Sequence, residues 1–153
     1  MKIIPFEILT LEGDGHHIIL EVEILDKPFK MVLDTGASKT VLDRETLSQS
    51  GIQDEHLINT NILSSGLGTN QMKSFMFDLP TLKIGKWQCK NLQVAVLDLS
   101  SINYAYSQMN FSPVVGVLGG DILLNYGAVI NYKKRSLTLN DRDIKTKKLL
   151  KIQ

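Results

Sequence analysis

Apolar and polar residues alternate along much of the chain with a period of two, which is the pattern of β-strands that bury one face. The clearest run lies in residues 17–25, where every second position is apolar: Ile18, Leu20, Val22 and Ile24. A preceding apolar segment, residues 3–11, is joined to it by Gly13-Asp14-Gly15, a combination that favours a hairpin turn. We therefore predict an N-terminal β-hairpin with one buried face.

Further short apolar runs, separated by turn residues, predict strands through most of the remaining sequence. These runs occupy residues 29–33, 40–42, 58–63, 72–79, 82–84, 92–97, 114–118, 129–132 and 136–139. Three short helices are predicted: from Asp43 to about residue 49, over residues 100–109 with Ser100 or Ser101 as the N-cap, and over residues 122–125 after an Asp121 cap. The whole pattern predicts an all-β protein, a β-barrel with one to three short helices.

Length and composition limit the class of protein. With 153 residues the chain has the size of one domain, and we expect a single domain over residues 1–153. The apolar fraction of 43% and the charged fraction of 22% are typical of a soluble globular protein. A formal net charge of +1 provides no overall field that would attract nucleic acid or an acidic membrane, so neither is expected as a partner. The lysines near the C-terminus lack interleaved aromatic residues, and we interpret them as a solvated face.

The sequence also sets expectations about location and bound groups. Cys89 is the only cysteine, which rules out an intrachain disulfide and fits a reducing compartment. Pro5 and Glu7 interrupt the N-terminus too early for a secretory signal, and no run approaches the roughly 20 apolar residues of a membrane span. Cytoplasm is therefore the default expectation, although a leader that had been removed would leave no trace. His16 and His17 point to opposite faces of a predicted strand, so no metal or other cofactor is expected.

The candidate chemistry is concentrated in one short loop. Asp34-Thr35-Gly36-Ala37-Ser38 directly follows the apolar run of residues 29–33. A carboxylate on a tight glycine turn after a buried strand is held at a fixed depth, where burial and hydrogen bonds can set its acidity. Such a position suits catalysis better than solubility. In the plainer interpretation, Asp34 only caps a turn.

A second segment, far along the chain, complements this loop. Val117-Leu118-Gly119-Gly120-Asp121-Ile122-Leu123 follows Gly116 and leads into a predicted helix, although it can also be interpreted as a structural corner. Between the two segments lies a predicted hairpin whose tip contains Gly66-Leu67-Gly68. In this order, the three features resemble those of the retropepsin-like aspartic proteases (clan AA), which include the retroviral proteases and single-domain bacterial relatives. The resemblance covers roughly residues 18–139.

The resemblance implies a fold and an activity. The fold is one lobe of the acid protease fold, a closed β-barrel, and the activity is hydrolysis of peptide bonds by a water molecule held between two aspartates. Because like charges about 3 Å apart cannot both ionise cheaply, one carboxyl serves as base and the other as acid. This chain has a single Asp-Thr-Gly, so the family pattern implies a homodimer in which each subunit contributes Asp34. The expected enzyme is an aspartic endopeptidase that acts on peptide or protein substrates.

The resemblance also assigns roles to neighbouring residues. Thr35 would hydrogen-bond the opposite loop, and Gly36 would let the backbone approach the dyad, within an active-site loop that includes Ala37 and Ser38. The hydrophobic-hydrophobic-Gly support beneath this loop, which would exclude water, consists of Val117, Leu118 and Gly119. The flap that would close over an extended peptide consists of Ser65, Gly66, Leu67 and Gly68.

The chain departs from the retroviral pattern at one pair of positions. Retroviral enzymes commonly carry an acid directly after Asp-Thr-Gly-Ala and an arginine directly after the hydrophobic-hydrophobic-Gly, where the two can form an ion pair. Here Ser38 and Gly120 occupy these positions, so both charges are absent together. Asp121, one position later, is interpreted as a helix cap. Two alternatives stay open: a catalytically silent peptide-binding or dimerisation module on the same barrel, and a monomer whose half-site works only with another protein.

Overall fold

Strands dominate the computed structural model, which describes residues 1–13, 15–51, 58–60 and 74–143, with the backbone alone for 58–60 and 74. The described strands are β1 (Lys2–Pro5), β2 (Glu7–Leu11), β3 (Gly15–Ile24), β4 (Lys27–Leu33), β5 (Val41–Asp43), β6 (Ile58–Thr60), β7 (Ser74–Ile84), β8 (Trp87–Leu97), β9 (Gly116–Leu118), β10 (Val129–Asn131) and β11 (Ser136–Leu139). The described helices are α1 (Arg44–Gln49), α2 (Ser100–Gln108) and α3 (Gly120–Asn125), and none of them is long and apolar enough to cross a membrane. The prediction of an all-β protein with one to three short helices is confirmed.

Six of the strands close into a barrel of mixed direction. The hydrogen-bonded order is β3, β4, β9, β5, β8 and β7, and β3 also pairs with β7, which completes the ring. Two of the pairs are parallel, β4 with β9 and β5 with β8. A separate three-stranded sheet contains β1, β11 and β10. Successive side chains of a strand point to opposite faces of its sheet. In this closed ring, one face is the barrel interior and the other is its outer surface.

The barrel interior includes the apolar face that the sequence predicts for residues 17–25. The four side chains of that face all lie in the main core: Ile18, Leu20, Val22 and Ile24. On the opposite face of β3, Ile19 is also buried, in a second cluster with Leu11, Tyr106 and Val114. Tyr106 belongs to α2, so this helix covers a patch of the outer barrel surface that the period-two pattern does not reveal.

The N-terminal segment, residues 3–11, forms two strands instead of the one predicted. β1 pairs with β11, whereas β2 forms the predicted hairpin with β3. The change of partner occurs at Pro5, which has no N–H to donate to a ladder. The next residue, Phe6, donates its N–H to the carbonyl oxygen of Arg135 (2.9 Å). Consequently β1 joins the predicted C-terminal hairpin of β10 and β11 in the small sheet.

Residues 74–97 form one long hairpin, where the sequence predicted three separate strands. β7 continues through Pro80, and β8 continues through Asn91, which has a φ of 56°. The ladder between the two strands is interrupted at these facing residues and resumes on both sides. Pro80 has no N–H to donate to the ladder. The positive φ of the facing Asn91 is a local irregularity at which the ladder omits one pair of residues, so both strands continue beyond it.

The first two predicted helices are confirmed in position, but only one of their caps is. Asp43 is the N-cap of α1, as predicted, and its carboxylate accepts hydrogen bonds from the N–H (3.2 Å) and the hydroxyl (2.6 Å) of Thr46. For α2 the predicted caps, Ser100 and Ser101, are wrong, because Leu99 is the N-cap and makes no side-chain hydrogen bond there. The N–H of Ser100 is instead bonded to the carboxylate of the preceding Asp98 (2.9 Å).

Cys89 lies in the barrel core with 5% of its surface exposed. Burial raises the pKa of its thiol to about 11, and the thiolate is the reactive form of cysteine. We therefore expect the native protein to resist alkylation by iodoacetamide at pH 8, and the same protein in denaturant to react completely. Mass spectrometry of both samples measures the difference. Rapid alkylation of the native protein would contradict the burial of this thiol.

Candidate active site

Asp34 directly follows β4, at the point where this strand lies beside β9. Val32 and Leu33 pair in parallel with Val117 and Leu118. The N–H of Asp34 continues this contact by donating to the carbonyl oxygen of Leu118 (3.0 Å). The two segments that the sequence motifs single out are thus adjacent in space, although they are far apart in the chain.

The loop after β4 holds Asp34 in a tight turn. The N–H of Gly36 donates to Oδ1 of Asp34 (2.8 Å), and the N–H of Ala37 donates to the carbonyl oxygen of Asp34 (3.2 Å). Asp34, Thr35, Gly36 and Ser38 are exposed on the single chain, and Ala37 is half-buried. The carboxylate is therefore oriented by its own loop while it stays open to another molecule.

The hydrophobic-hydrophobic-Gly segment packs directly against this loop. Val117 and Leu118 are buried, with 8% and 0% of their surfaces exposed. A Cβ atom at Gly119 would lie 2.6 Å from the carbonyl carbon and oxygen of Lys39, and 2.9 Å from the carbonyl oxygen of Ala37. Gly119 has a φ of −109°, which other residues adopt freely, so the need for glycine here is purely steric.

The sequence did not point to Thr40, which is fully buried at the end of the loop. Its N–H and its hydroxyl both donate to Oδ1 of Asp121 (2.9 and 2.7 Å), and its hydroxyl oxygen accepts from the N–H of Gly119 (3.1 Å). The prediction of Asp121 as the cap of α3 is wrong, because Gly119 is the N-cap and Asp121 lies in the first turn. The carboxylate instead binds a loop that is distant in sequence. A hydroxyl residue closing the Asp-Thr-Gly loop is the signal that could have indicated this contact.

A cleft of about 340 Å³ opens beside Asp34 and Thr35. Apolar side chains from three parts of the fold line it: Val32 and Val117 from the barrel, Ile102 from α2, and Ile130 from β10. Its position, directly at the candidate catalytic carboxylate, makes it suitable for an apolar group of a bound molecule.

The same cleft contains a polar pair, in which Nδ1 of His17 lies 2.7 Å from the hydroxyl of Tyr106. The neighbouring His16 has a different partner, because its Nδ1 lies 3.0 Å from Oγ1 of Thr10. The two histidines thus face different neighbours, as their adjacent positions on β3 require. Within the described ranges, no group of three or more His, Cys, Asp or Glu is placed to hold a metal ion.

A larger cleft, of about 470 Å³, lies elsewhere on the molecule and includes Phe6, Glu21 and Lys83 among its lining residues. None of its lining residues belongs to the loop that carries Asp34. We select the smaller cleft as the candidate site because it contains the oriented carboxylate, and size alone indicates no chemistry.

The predicted flap lies outside the described residues. It consists of Ser65, Gly66, Leu67 and Gly68. The strands on either side of this segment, β6 and β7, are antiparallel partners, with Ile58 opposite Met76. The pairing predicted for the base of this hairpin is therefore present in the described part of the chain.

Comparison with known families gives a match over most of the barrel. A family model described as aspartyl protease matches residues 20–122. The chain belongs to the aspartyl protease family. The matched range of this aspartyl protease includes the Asp34 loop, Gly119 and Asp121. A search of curated proteins finds no match.

Solved structures show that this aspartyl protease has a retropepsin-like fold. A retropepsin-like aspartic protease from Rickettsia conorii is 24% identical, with a TM-score of 0.57 over 90% of this chain and 88% of that one. The retroviral protease-like domain of Ddi1 from Leishmania major is 12% identical, with a TM-score of 0.58 over 83% and 90% of the two chains. EIAV protease complexed with the inhibitor HBY-793 is 24% identical, with a TM-score of 0.54 over 80% and 99%. These similarities confirm the predicted closed barrel.

The site of this aspartyl protease is suited to acid–base chemistry. A carboxylate within reach of a bound water molecule can accept its proton, and a protonated carboxyl can donate one to a leaving group. The Asp34 loop supplies one such carboxylate per chain, on an exposed surface. Membership of the family and the geometry of the loop together indicate a hydrolase.

Proposed function

We propose that this chain is an aspartic endopeptidase whose active species is a homodimer with one Asp34 from each subunit. The observation that carries the proposal is the placement of Asp34. Its carboxylate is exposed on the single chain, yet its loop is held by hydrogen bonds to Leu118 and within the turn. An exposed but oriented carboxylate is what a symmetry-related copy needs in order to complete a dyad.

In the proposed dimer the two Asp34 carboxyl groups share one proton, because two like charges about 3 Å apart are costly. The ionised carboxylate takes a proton from the water molecule between them as the water oxygen attacks the carbonyl carbon of the peptide bond. The protonated carboxyl donates its hydrogen bond, and then its proton, to the carbonyl oxygen. When the carbon–nitrogen bond breaks, the carboxyl that took the proton of the water passes it to the leaving amine. The other carboxylate takes a proton from a hydroxyl of the tetrahedral intermediate, which becomes the new carboxyl group, and the dyad again holds one shared proton.

The neighbouring residues have supporting roles in this proposal. Thr35, which is exposed on the single chain, donates a hydrogen bond to the opposite loop, and Gly36 lets the substrate backbone come close. Val117 and Leu118 exclude water from beneath, which strengthens electrostatic interactions at the dyad. The flap of residues 65–68 closes over the peptide, and the cleft beside Asp34 receives one of its side chains.

Incubation of the protein with a diverse peptide pool across a range of pH, followed by mass spectrometry, tests this function. We expect cleavage of internal peptide bonds, and sedimentation of the active protein as a dimer. Binding of extended peptides without any cleavage would favour the silent peptide-binding module. Cleavage by a protein that sediments as a monomer at every concentration would contradict the shared dyad.

A further inference from the structure

The loop that carries Asp34 is fixed to the start of α3 at its middle and at its end. In the middle, the N–H of Gly120 donates to the carbonyl oxygen of Ala37 (2.7 Å). At the end, Thr40 donates twice to Asp121. The first attachment is between main-chain atoms. The second depends on the side-chain carboxylate of Asp121, so a substitution at Asp121 can remove it.

Asp121 is well suited to hold this loop. Its Oδ1 accepts three hydrogen bonds, two from Thr40 and one from the N–H of Ile122 (2.9 Å). Hydrogen bonds to an ionised carboxylate are roughly twice as strong as those between neutral groups. Thr40 is fully buried, so the loss of this acceptor would leave buried donors without a partner, which is costly. The arrangement therefore strongly favours one position of the loop end.

We propose that Asp121 is a positioning residue for Asp34, acting through Thr40 on the loop that carries the candidate catalytic carboxylate. Asp121 does not itself contact the reacting atoms. Its effect on catalysis follows because a displacement of about 1 Å in the geometry of a site can lower its rate by about 10²-fold. The kinetic consequence rests on the proposed protease function, whereas the structural consequence for the loop does not.

The chain contains a matched control for this proposal. Asp43 is also an aspartate with three hydrogen bonds, from the N–H and hydroxyl of Thr46 and from the N–H of Leu99. Its partners lie on α1 and at the start of α2, and not on the Asp34 loop. Asp121→Ala and Asp43→Ala therefore remove similar interactions, and only the first removes them from the loop.

We expect Asp121→Ala to lower kcat by about tenfold or more, with KM changed by less than about threefold, because the loop moves while the apolar walls of the cleft, which belong to other elements, stay in place. Asp43→Ala, assayed where both variants are fully folded, should keep the native kcat. The backbone ¹⁵N order parameters of Gly36 and Ala37 should fall from about 0.85 to below about 0.6 in Asp121→Ala, and should not fall in Asp43→Ala.

Conservative variants provide the decisive comparison. Asp121→Asn keeps an acceptor oxygen in place, so its kcat and its order parameters should be close to those of the native protein. Thr40→Ser keeps the hydroxyl donor and should likewise stay close to the native values. Thr40→Val, which lacks the hydroxyl, should reproduce the loss, and it replaces Asp121→Ala if that variant does not fold. The proposal would be overturned by native order parameters of Gly36 and Ala37 in Asp121→Ala and Thr40→Val, which both lack the hydrogen bond between the Thr40 hydroxyl and Asp121. An equal fall of these order parameters in Asp43→Ala would overturn it as well. If the native protein cleaves no peptide, the proposed function fails, and the order parameters still decide the role of Asp121.

Discussion

Replacement of Asp34 by asparagine is expected to lower the rate of peptide hydrolysis by at least about 10³-fold, with fold and subunit association intact. An amide can neither accept the proton of the attacking water nor donate one to the carbonyl oxygen, and in the proposed homodimer both groups are lost together. The amide oxygen can still accept the hydrogen bond from the N–H of Gly36 that shapes the turn. Measurement of kcat/KM on a peptide from the pool, with circular dichroism and sedimentation of the same samples, tests this result.

Asp98 provides the matched control for this variant. It is also exposed, and its Oδ1 accepts a hydrogen bond from the N–H two residues later, in Ser100 (2.9 Å), as Oδ1 of Asp34 does from Gly36 (2.8 Å). Asp98→Asn should therefore change the local turn in the same way and leave hydrolysis at the native rate. Equal activity of the two variants would show that the Asp34 carboxylate takes no part in the chemistry.

Mixed dimers test whether the two carboxylates of the proposed homodimer act as one unit. When native and Asp34→Asn chains are unfolded together and refolded in equal amounts, about one quarter of the dimers contain two native chains. If each site needs both aspartates, the mixture should retain about a quarter of the native activity. Retention of about half would mean that each subunit works with its own Asp34 alone.

The features of the fold that depend on local sequence could be predicted. The buried face of β3 follows from the alternation of apolar residues, and the N-cap of α1 follows from Asp43 and its place before a short helix. The motif around Asp34 and the motif ending in Gly119 predicted two segments that the structure places side by side. In each case, neighbouring residues in the chain carry the information.

The features that depend on distant partners could not be predicted. Pro5 marks a possible break within residues 3–11, but the assignment of β1 to the small sheet depends on β11, near the other end of the described chain. The runs at residues 72–79 and 82–84 predict two separate strands on either side of Pro80, whereas facing Asn91 allows the ladder to continue. Asp121 was predicted as a helix cap because it directly precedes the predicted helix of residues 122–125. Its actual partner, Thr40, belongs to another part of the chain.

Replacement of Gly119 by alanine is expected to destabilise the protein by about 3 kcal/mol and to abolish hydrolysis. The added Cβ would lie 2.6 Å from the carbonyl carbon and oxygen of Lys39, so the backbone of the loop itself would have to move. A flexible side chain could turn away from such a contact, but main-chain atoms that are hydrogen-bonded on both sides cannot. The displaced loop would carry Asp34 with it. Urea unfolding, compared at constant m-value, measures the loss of stability, and the peptide assay measures the loss of activity.

Gly120 offers a control in the adjacent position of the same contact. A Cβ atom there would lie 3.4 Å from the carbonyl oxygen of Ala37 and 3.7 Å from that of Ser38, which are ordinary van der Waals distances. Gly120 is also the first residue of α3, where alanine is favoured over glycine by up to about 1 kcal/mol. Gly120→Ala should therefore unfold at the native urea concentration or slightly above it, and it should keep its activity. Equal unfolding midpoints for the two alanine variants would mean that α3 and the Asp34 loop are not packed as closely as these distances require.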